Sequence, residues 1–338
     1  MSAYLKGEES KIVTADYIDR MSNVSSVQDV LQIIRGTDIG SYLEGVTAET
    51  FDDIDEYLWR YLGGCLERLE WFRPVPADIL KVLRAHIIKY DVLNIKAALQ
   101  GISIGREARR LPLGVIHNYG LLDELFAAED VDSVIELLNK CKLGDYASIL
   151  REYKVDGEVK SNLLTEARLD GEYYKNLINM TRDTEEGSIL VKAFSIIIDL
   201  INLQVILRAV MEGRGVEATE STIGGGYIIS GGLIRELLSL KLTEITGRLR
   251  NTLYHNVVEE VVSSYDRTKS LMAIDEIIDK HKFRLSKEIL SPRVLSPLVL
   301  VWYLMIKEVE IRNLRLILKA MFDSIPVEEI KTYLVFAS

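Results

Sequence analysis

Apolar side chains recur along most of the chain at intervals of three and four residues, the spacing of one face of an α-helix. Two short segments show the pattern in full, 27–34 and 131–138, and each predicts a helix with a single apolar stripe. We find no strict alternation of apolar and polar residues between turn signals, as a half-buried strand would show. Only six prolines interrupt the chain. The pattern therefore predicts an all-α fold.

Polar residues at several points mark where helices should begin. Ser26 with Asp29 and Thr50 with Asp53 fit a capping box, in which side chain and backbone satisfy each other across the first turn. Ser296 followed by Pro297 fits a cap with proline at the first helical position.

An acidic residue followed three positions later by asparagine occurs on three of the most apolar segments. The pairs are Asp91 with Asn94, Asp199 with Asn202, and Glu310 with Asn313. The acids lie 108 and 111 residues apart, and a second marker, Tyr42, Tyr146 and Tyr254, follows nearly the same period. Two markers that share one period predict three similar helical-bundle repeats, 1–110, 111–222 and 223–338.

Three helical repeats can form an open solenoid with polar ends, or close so that each repeat packs on both neighbours. The last repeat stays apolar through 298–304 and again through 333–336. A terminal cap of a solenoid would turn polar there. This favours closure about a pseudo-threefold axis.

The middle helix extends its polar pair into a stripe that also contains Lys192 and Ser195. Residues three and four apart share a helix face, so each repeat should present a polar patch. Two interpretations stay open: the patches form hydrogen bonds that set the register of neighbouring helices, or they line a central socket. The residues concerned are Asp91, Asn94, Lys192, Asp199, Asn202, Glu310 and Asn313. A metal site is a distant third interpretation, because no histidine lies at helical spacing beside the acids.

Composition narrows the class of protein. Forty-one basic residues against fifty-one acidic ones give a net charge of −10, which argues against nucleic acid as the main partner. The two cysteines, Cys65 and Cys141, cannot form a disulfide framework. The opening lacks a signal-peptide plan, and the apolar stretch 189–211 carries several polar residues. We therefore expect that stretch to be a buried helix of a soluble protein.

Motifs that would indicate catalysis are weak. The glycines at 224–226 and 231–232 lack the Lys-Ser/Thr of a phosphate-binding loop, and we interpret them as a flexible turn between repeats. The four histidines show no zinc spacing. We expect no catalytic residue, no cofactor and no metal.

Basic residues cluster at two places, and we expect such clusters on an acidic protein to be solvated. Arg106, Arg109 and Arg110 follow the first acidic pair, and Arg312 and Arg315 lie on the third such helix. The alternative for the first cluster is a docking patch for an acidic or carbonyl-rich partner surface.

Several segments together resemble one protein family. They are YLKGEESKIVTADYIDRM, DVLNIKAALQGISIG, DLINLQVILRAVMEGRG, and SGGLIRELL leading to LRNTLYHNVVEE. They resemble the C subunit of archaeal-type rotary ATP synthases, the relative of the d subunit in eukaryotic vacuolar proton pumps. The third repeat departs from the pattern, with Glu310 in place of aspartate and no glycine after the helix.

The resemblance implies a non-catalytic part of a central stalk, built as a funnel of three helical lobes. Such a protein lies on the cytoplasmic face of the membrane, bound to the rotor ring, and receives the rotating shaft. Its partners would be the shaft subunits and the ring, with no nucleic acid and no segment inserted in the membrane. The alternative is a soluble helical-repeat scaffold with unrelated protein partners.

Overall fold

The computed structural model describes residues 7, 11–24, 26–71, 75–105, 109–155, 158–159, 162–293 and 295–336. Within these ranges the only strands are β1 (Lys154–Val155) and β2 (Glu158–Val159), a two-residue antiparallel pair. All other regular structure there is helical, which confirms the predicted all-α class.

The first half of the chain contains nine helices among the described residues. They are α1 (Ala15–Met21), α2 (Val27–Ile34), α3 (Asp38–Tyr42), α4 (Phe51–Trp71), α5 (Ala77–Ile104), α6 (Val115–Asn118), α7 (Leu122–Phe126), α8 (Val131–Lys140) and α9 (Gly144–Tyr153). Both predicted amphipathic segments form helices, α2 and α8, and in α8 the whole apolar stripe is buried.

The described part of the second half continues in the same way, with two short 3-10 helices at Gly215–Ser221 and Lys331–Tyr333. The α-helices are α10 (Asn162–Arg182), α11 (Gly187–Glu212), α12 (Gly231–Ser239), α13 (Leu242–Arg248), α14 (His255–Thr268), α15 (Met272–Leu290), α16 (Val299–Phe322) and α17 (Val327–Ile330).

The chain divides into two compact units, one made of 1–80 with 286–338 and the other of 81–285. In the first unit α16 packs along α4, and apolar residues of both helices, such as Leu62 and Leu314, have no exposed surface. In the second unit α11 packs against α10, α12 and α13. In each unit a long apolar helix thus packs against several neighbouring helices.

Helix α11 has apolar residues on all sides, which is typical of a helix enclosed by protein. By length and composition alone it could cross a membrane, and it is the one such helix among the residues described here. Most of the apolar stretch that meets this criterion is buried inside the protein. The helix ends at Glu212, and the capping residue Gly213 takes a left-handed conformation at φ 72°.

Two of the three predicted helix starts are confirmed. Ser26 Oγ accepts from the backbone N–H of Asp29 at 3.1 Å. Asp53 Oδ2 accepts from the N–H of Thr50 at 2.8 Å, while Thr50 Oγ1 accepts from the N–H of Asp53 at 3.3 Å.

The third start lies two residues later than predicted, because α16 begins at Val299. Ser296 Oγ instead accepts from the N–H of Leu298 at 3.1 Å, and its carbonyl accepts from Val299 at 3.1 Å. These bonds form a tight turn before the helix.

The interpretation of 231–232 as a turn is also wrong. Gly231 and Gly232 begin α12, whose cap is Ser230, and the Ser230 hydroxyl accepts from the N–H of Leu233 at 3.3 Å.

Candidate functional site

The three acid and asparagine pairs lie in the interior of the two units. The pairs occupy the long helices α5, α11 and α16, which the apolar periodicity positions at the centre of their bundles. No member is more than 4% exposed. Buried polar groups of this kind are costly unless hydrogen-bonded, so their partners define what the pairs do.

Each asparagine binds the backbone of one residue farther along the chain through both ends of its amide. Asn94 donates to the carbonyl of Leu111 at 2.9 Å and accepts from its N–H at 2.9 Å. Asn202 makes the same pair of bonds with Ile223, both at 2.8 Å. Asn313 makes them with Val335, at 2.5 and 3.0 Å. The side-chain amide pairs with the backbone as a neighbouring β-strand would, because it offers one donor and one acceptor.

The two aspartates accept backbone N–H groups a few residues beyond those bound by the asparagines. The Asp91 carboxylate accepts from Val115 and Ile116, each at 2.8 Å. The Asp199 carboxylate accepts from Ile228 at 2.6 Å and from Ile229 at 3.1 and 3.2 Å. Each aspartate thus holds the start of the segment that follows.

The glutamate of the third pair binds a segment at the opposite end of the sequence. Glu310 Oε1 accepts from the N–H of Val13 at 2.8 Å, across 297 residues of chain. Its second oxygen accepts from Lys307 Nζ at 3.0 Å. Lys307 has no exposed surface and also donates to the hydroxyl of Tyr61 at 2.9 Å. A buried charge is tolerated only with such a set of partners.

We call each set of an acid, its asparagine and the two backbone segments they hold a joint. Joint 1 is built on Asp91, joint 2 on Asp199 and joint 3 on Glu310. In joints 1 and 2 the two held segments are consecutive in the chain, Leu111 then Val115, and Ile223 then Ile228. In joint 3 they lie far apart in the chain, at Val335 and at Val13.

Two glycines make room for the aspartates. A Cβ at Gly114 would lie 2.4 Å from Asp91 Oδ1, and a Cβ at Gly226 would lie 1.9 Å from Asp199 Oδ1. Any side chain there would displace the carboxylate. Sequence reasoning assigned Gly226 to a turn and missed this role. The signal was present, since both glycines come one or two residues before a β-branched pair.

Burial changes the acidity of these groups. Removal from water raises the pKa of Asp91 to about 7, although the N–H donors of Ile116 and Val115 oppose the shift. Burial likewise raises the pKa of Asp199, against the opposing effect of the Tyr254 hydroxyl, which donates to Oδ2 at 2.5 Å. The pKa of Tyr254 is raised by burial and by the carboxylate beside it.

The other two polar residues of the α11 stripe, Lys192 and Ser195, have no side-chain hydrogen bond to Asp199 or Asn202 among the contacts described here. Lys192 is exposed, with its ammonium 5.2 Å from the ring centre of Tyr227. Ser195 is buried, and its backbone carbonyl accepts from the N–H of Tyr227 at 3.3 Å.

The basic residues differ from one another. Arg106 lies outside the described residues, and Arg109 is exposed. Arg110 is exposed but forms an ion pair with Asp123 at 2.5 Å.

The arginines of α16 are not solvated side chains as expected. Arg312 donates to the carbonyl of Tyr333 at 2.9 Å. Arg315 pairs with the buried Asp55 and stacks on Trp59, with its guanidinium 4.6 Å from the ring centre. Arg312 thus links α16 to the segment that follows it, and Arg315 links α16 to α4.

A cleft of about 640 Å³ in the second unit is bounded by α9, α10 and residues 222–225, which include Ile223 of joint 2. Three of its charged residues have partners within it: Lys175 binds Glu172 at 3.0 Å, and Arg168 donates to the Tyr153 hydroxyl at 3.0 Å. In the described part of the chain no group of three histidine, cysteine or acidic residues is placed to hold a metal.

Comparison with known proteins gives one consistent result. The model of the ATP synthase (C/AC39) subunit family matches residues 1–333. The C subunit of the A-type ATP synthase of Methanocaldococcus jannaschii is 26% identical, over 99% of this chain and 85% of its own length. The C subunits of Methanosphaera stadtmanae and Pyrococcus abyssi are 25% and 24% identical, over 99% and 98% of this chain and 86% and 88% of their own lengths.

The family is one of accessory subunits and not of enzymes, in agreement with the expectation that this chain has no activity of its own. The match extends over both compact units and includes all three acid and asparagine pairs. The chain belongs to the ATP synthase (C/AC39) subunit family.

Proposed function

We propose that the chain is a central-stalk protein that connects the membrane rotor ring to the rotating shaft of an A-type ATP synthase. Its place would be the cytoplasmic face of the membrane, bound to the ring. The proposal is supported by a family match over residues 1–333 and by relatives named as the C subunit of such enzymes. The chain would transmit rotation, while other subunits carry out the nucleotide chemistry.

The three joints are the observation that supports a mechanical role for this chain. We infer three repeats, 1–110, 111–222 and 223–338, in which the acid of each repeat holds the first segment of the next. Glu310 holds Val13 of the first repeat, so the order of contacts is cyclic. A funnel of three lobes about a pseudo-threefold axis satisfies that order.

Transmission of torque requires an element that deforms little under load. Dense packing around apolar helices provides stiffness, because close-packed interiors have low compressibility. Joints made of buried and partly buried hydrogen bonds add resistance to sliding, since any displacement would leave polar groups of the interior unpaired. We therefore assign the acid and asparagine pairs to register between segments rather than to a socket for the shaft.

Co-purification from native membranes tests the assignment. A tagged chain should bring down the shaft and ring subunits of the ATP synthase. A variant at an exposed lysine that belongs to no joint, Lys140→Glu, should behave like the unmodified chain. If neither shaft nor ring is recovered and other proteins are, the chain is a scaffold with unrelated partners.

The choice between register and socket has its own test. Replacing Asp199 and Asn202 by leucine should lower stability and leave α11 helical. If the folded double variant loses shaft binding while its free energy of unfolding is unchanged, the pair lines a socket. Loss of stability with retained binding supports register.

Arg106, Arg109 and Arg110 remain a proposed docking patch for an acidic partner surface. Arg110 pairs with Asp123, so an acidic partner surface would have to compete with that ion pair. Reversing all three charges should weaken partner binding at low salt, where exposed charges act most strongly. Unchanged binding under those conditions would remove the patch from consideration.

A further inference from the structure

Joint 3 differs from the other two joints in its connectivity. In joint 1 the segment held by the asparagine is linked to the segment held by the acid through 112–114, and in joint 2 through 224–227. In joint 3 those two segments lie near opposite ends of the chain. No short linker therefore ties residues 11–13 to the segment that Asn313 holds.

Residues 11–13 contact Glu310 and Asp38, and Lys11 Nζ also lies 3.8 Å from Asp38 Oδ1. The N–H of Val13 donates to Glu310, and the carbonyl of Lys11 accepts from the N–H of Asp38 at 3.2 Å. Ile12 and Val13 are buried, at 7% and 8% exposed. Only after these residues does the chain enter α1, which is anchored by the buried Ile18 and Met21.

Joint 3 also has a cation that the other joints lack. Lys307 lies three residues before Glu310, whereas the matching positions before Asp91 and Asp199 are Ile88 and Ile196. With Lys307 paired to its second oxygen, Glu310 has a partner for its charge that does not depend on Val13. Loss of the Val13 contact therefore leaves no unpaired buried charge at joint 3.

We propose that residues 11–13 form a releasable strap, and that joint 3 is the one place where the cyclic order of contacts opens without unfolding a repeat. Joints 1 and 2 cannot open in this way, because the chain itself connects the segments they hold. The strap does not rest on the stalk assignment, since every contact that supports it is internal to the chain.

Amide hydrogen exchange on the isolated full chain tests the strap. Local opening exposes an amide without global unfolding. Val13, Ile116 and Ile229 each donate a buried backbone N–H to one of the three acids, so their exchange rates can be compared. The Val13 amide should exchange at least about tenfold faster than the other two at neutral pH. Equal protection at all three amides would overturn the proposal.

Neither outcome of the exchange experiment bears on shaft or ring binding, so failure here is distinct from failure of the stalk assignment.

Discussion

Tyr254 donates its phenol hydrogen to Oδ2 of Asp199 across 2.5 Å, and neither residue has exposed surface. The hydroxyl belongs to one of the three periodic tyrosines and the carboxylate to one of the three periodic acids. The two sequence markers therefore meet in space at joint 2. A hydrogen bond to a buried charged acceptor is among the stronger ones in proteins.

Tyr254→Phe should lower the free energy of unfolding by about 1.5–3 kcal/mol, because a buried carboxylate loses a donor that nothing replaces. Urea unfolding followed by circular dichroism measures it. Tyr227→Phe is the control: Tyr227 is 47% exposed, and its loss should change stability by less than about 0.5 kcal/mol. Equal effects of the two changes would contradict the assigned hydrogen bond.

Asp91 should make stability depend on pH in a defined direction. Its pKa is raised from 3.8 to about 7 in the folded chain, so the folded state holds this proton where the unfolded state has lost it. The stabilising contribution is complete below about pH 4 and is lost as pH rises toward 7. The loss is on the order of 4 kcal/mol, since one pKa unit corresponds to about 1.4 kcal/mol.

Asp91→Asn removes the titrating group while keeping the side-chain size. The difference in unfolding free energy between wild type and variant should fall as pH rises from about 4 to about 7 and stay level above. Taking the difference cancels other groups, including Asp199. A constant difference over this range would show that Asp91 is ionised at its ordinary pKa.

Gly226→Ala should cost about 3 kcal/mol, because the new methyl group would lie 1.9 Å from Asp199 Oδ1 and must displace the carboxylate. Gly224→Ala is a matched control two residues away, where a Cβ would meet nothing within 4 Å. It should change stability by less than about 1 kcal/mol. Thermal unfolding of the two variants side by side would reject the explanation if their midpoints fell equally.

Lys307→Met should lower the free energy of unfolding by about 3–5 kcal/mol, because it leaves Glu310 buried without its cation. Adding Glu310→Gln should restore part of that loss, since the uncompensated charge is then gone. The exposed pair of Lys319 and Asp323 is the control, and Lys319→Met should change stability by less than about 1 kcal/mol. Additive effects of the two changes at joint 3 would mean that the groups are not coupled.

Much of this architecture can be predicted from the sequence. The periodicity of α8 and the capping residues Ser26 and Thr50 define elements through local interactions, which a sequence displays directly. The acid and asparagine pairs stand out by their period, and their burial follows from the apolar residues around them. The start of α16 is harder to predict, because a tight turn at Ser296 competes with the helix for the same N–H groups.

The contacts of the pairs cannot be predicted in the same way. Asn313 and Val335 are 22 residues apart, and Glu310 and Val13 are 297 residues apart. Such partners depend on packing of whole helices, which no local pattern encodes. The same holds for Arg315, whose charge suggests solvent and whose partner Asp55 lies 260 residues away.

The apolar surface of α11 has a consequence for synthesis of the chain. Asp199 receives its last hydrogen-bond partner from Tyr254, 55 residues downstream. While those residues are still inside the ribosome, a stretch apolar enough to enter a lipid bilayer stands uncovered in the nascent polypeptide. Apolar surface exposed in this way makes a nascent chain prone to aggregation until the later helices α12 and α13 pack on α11.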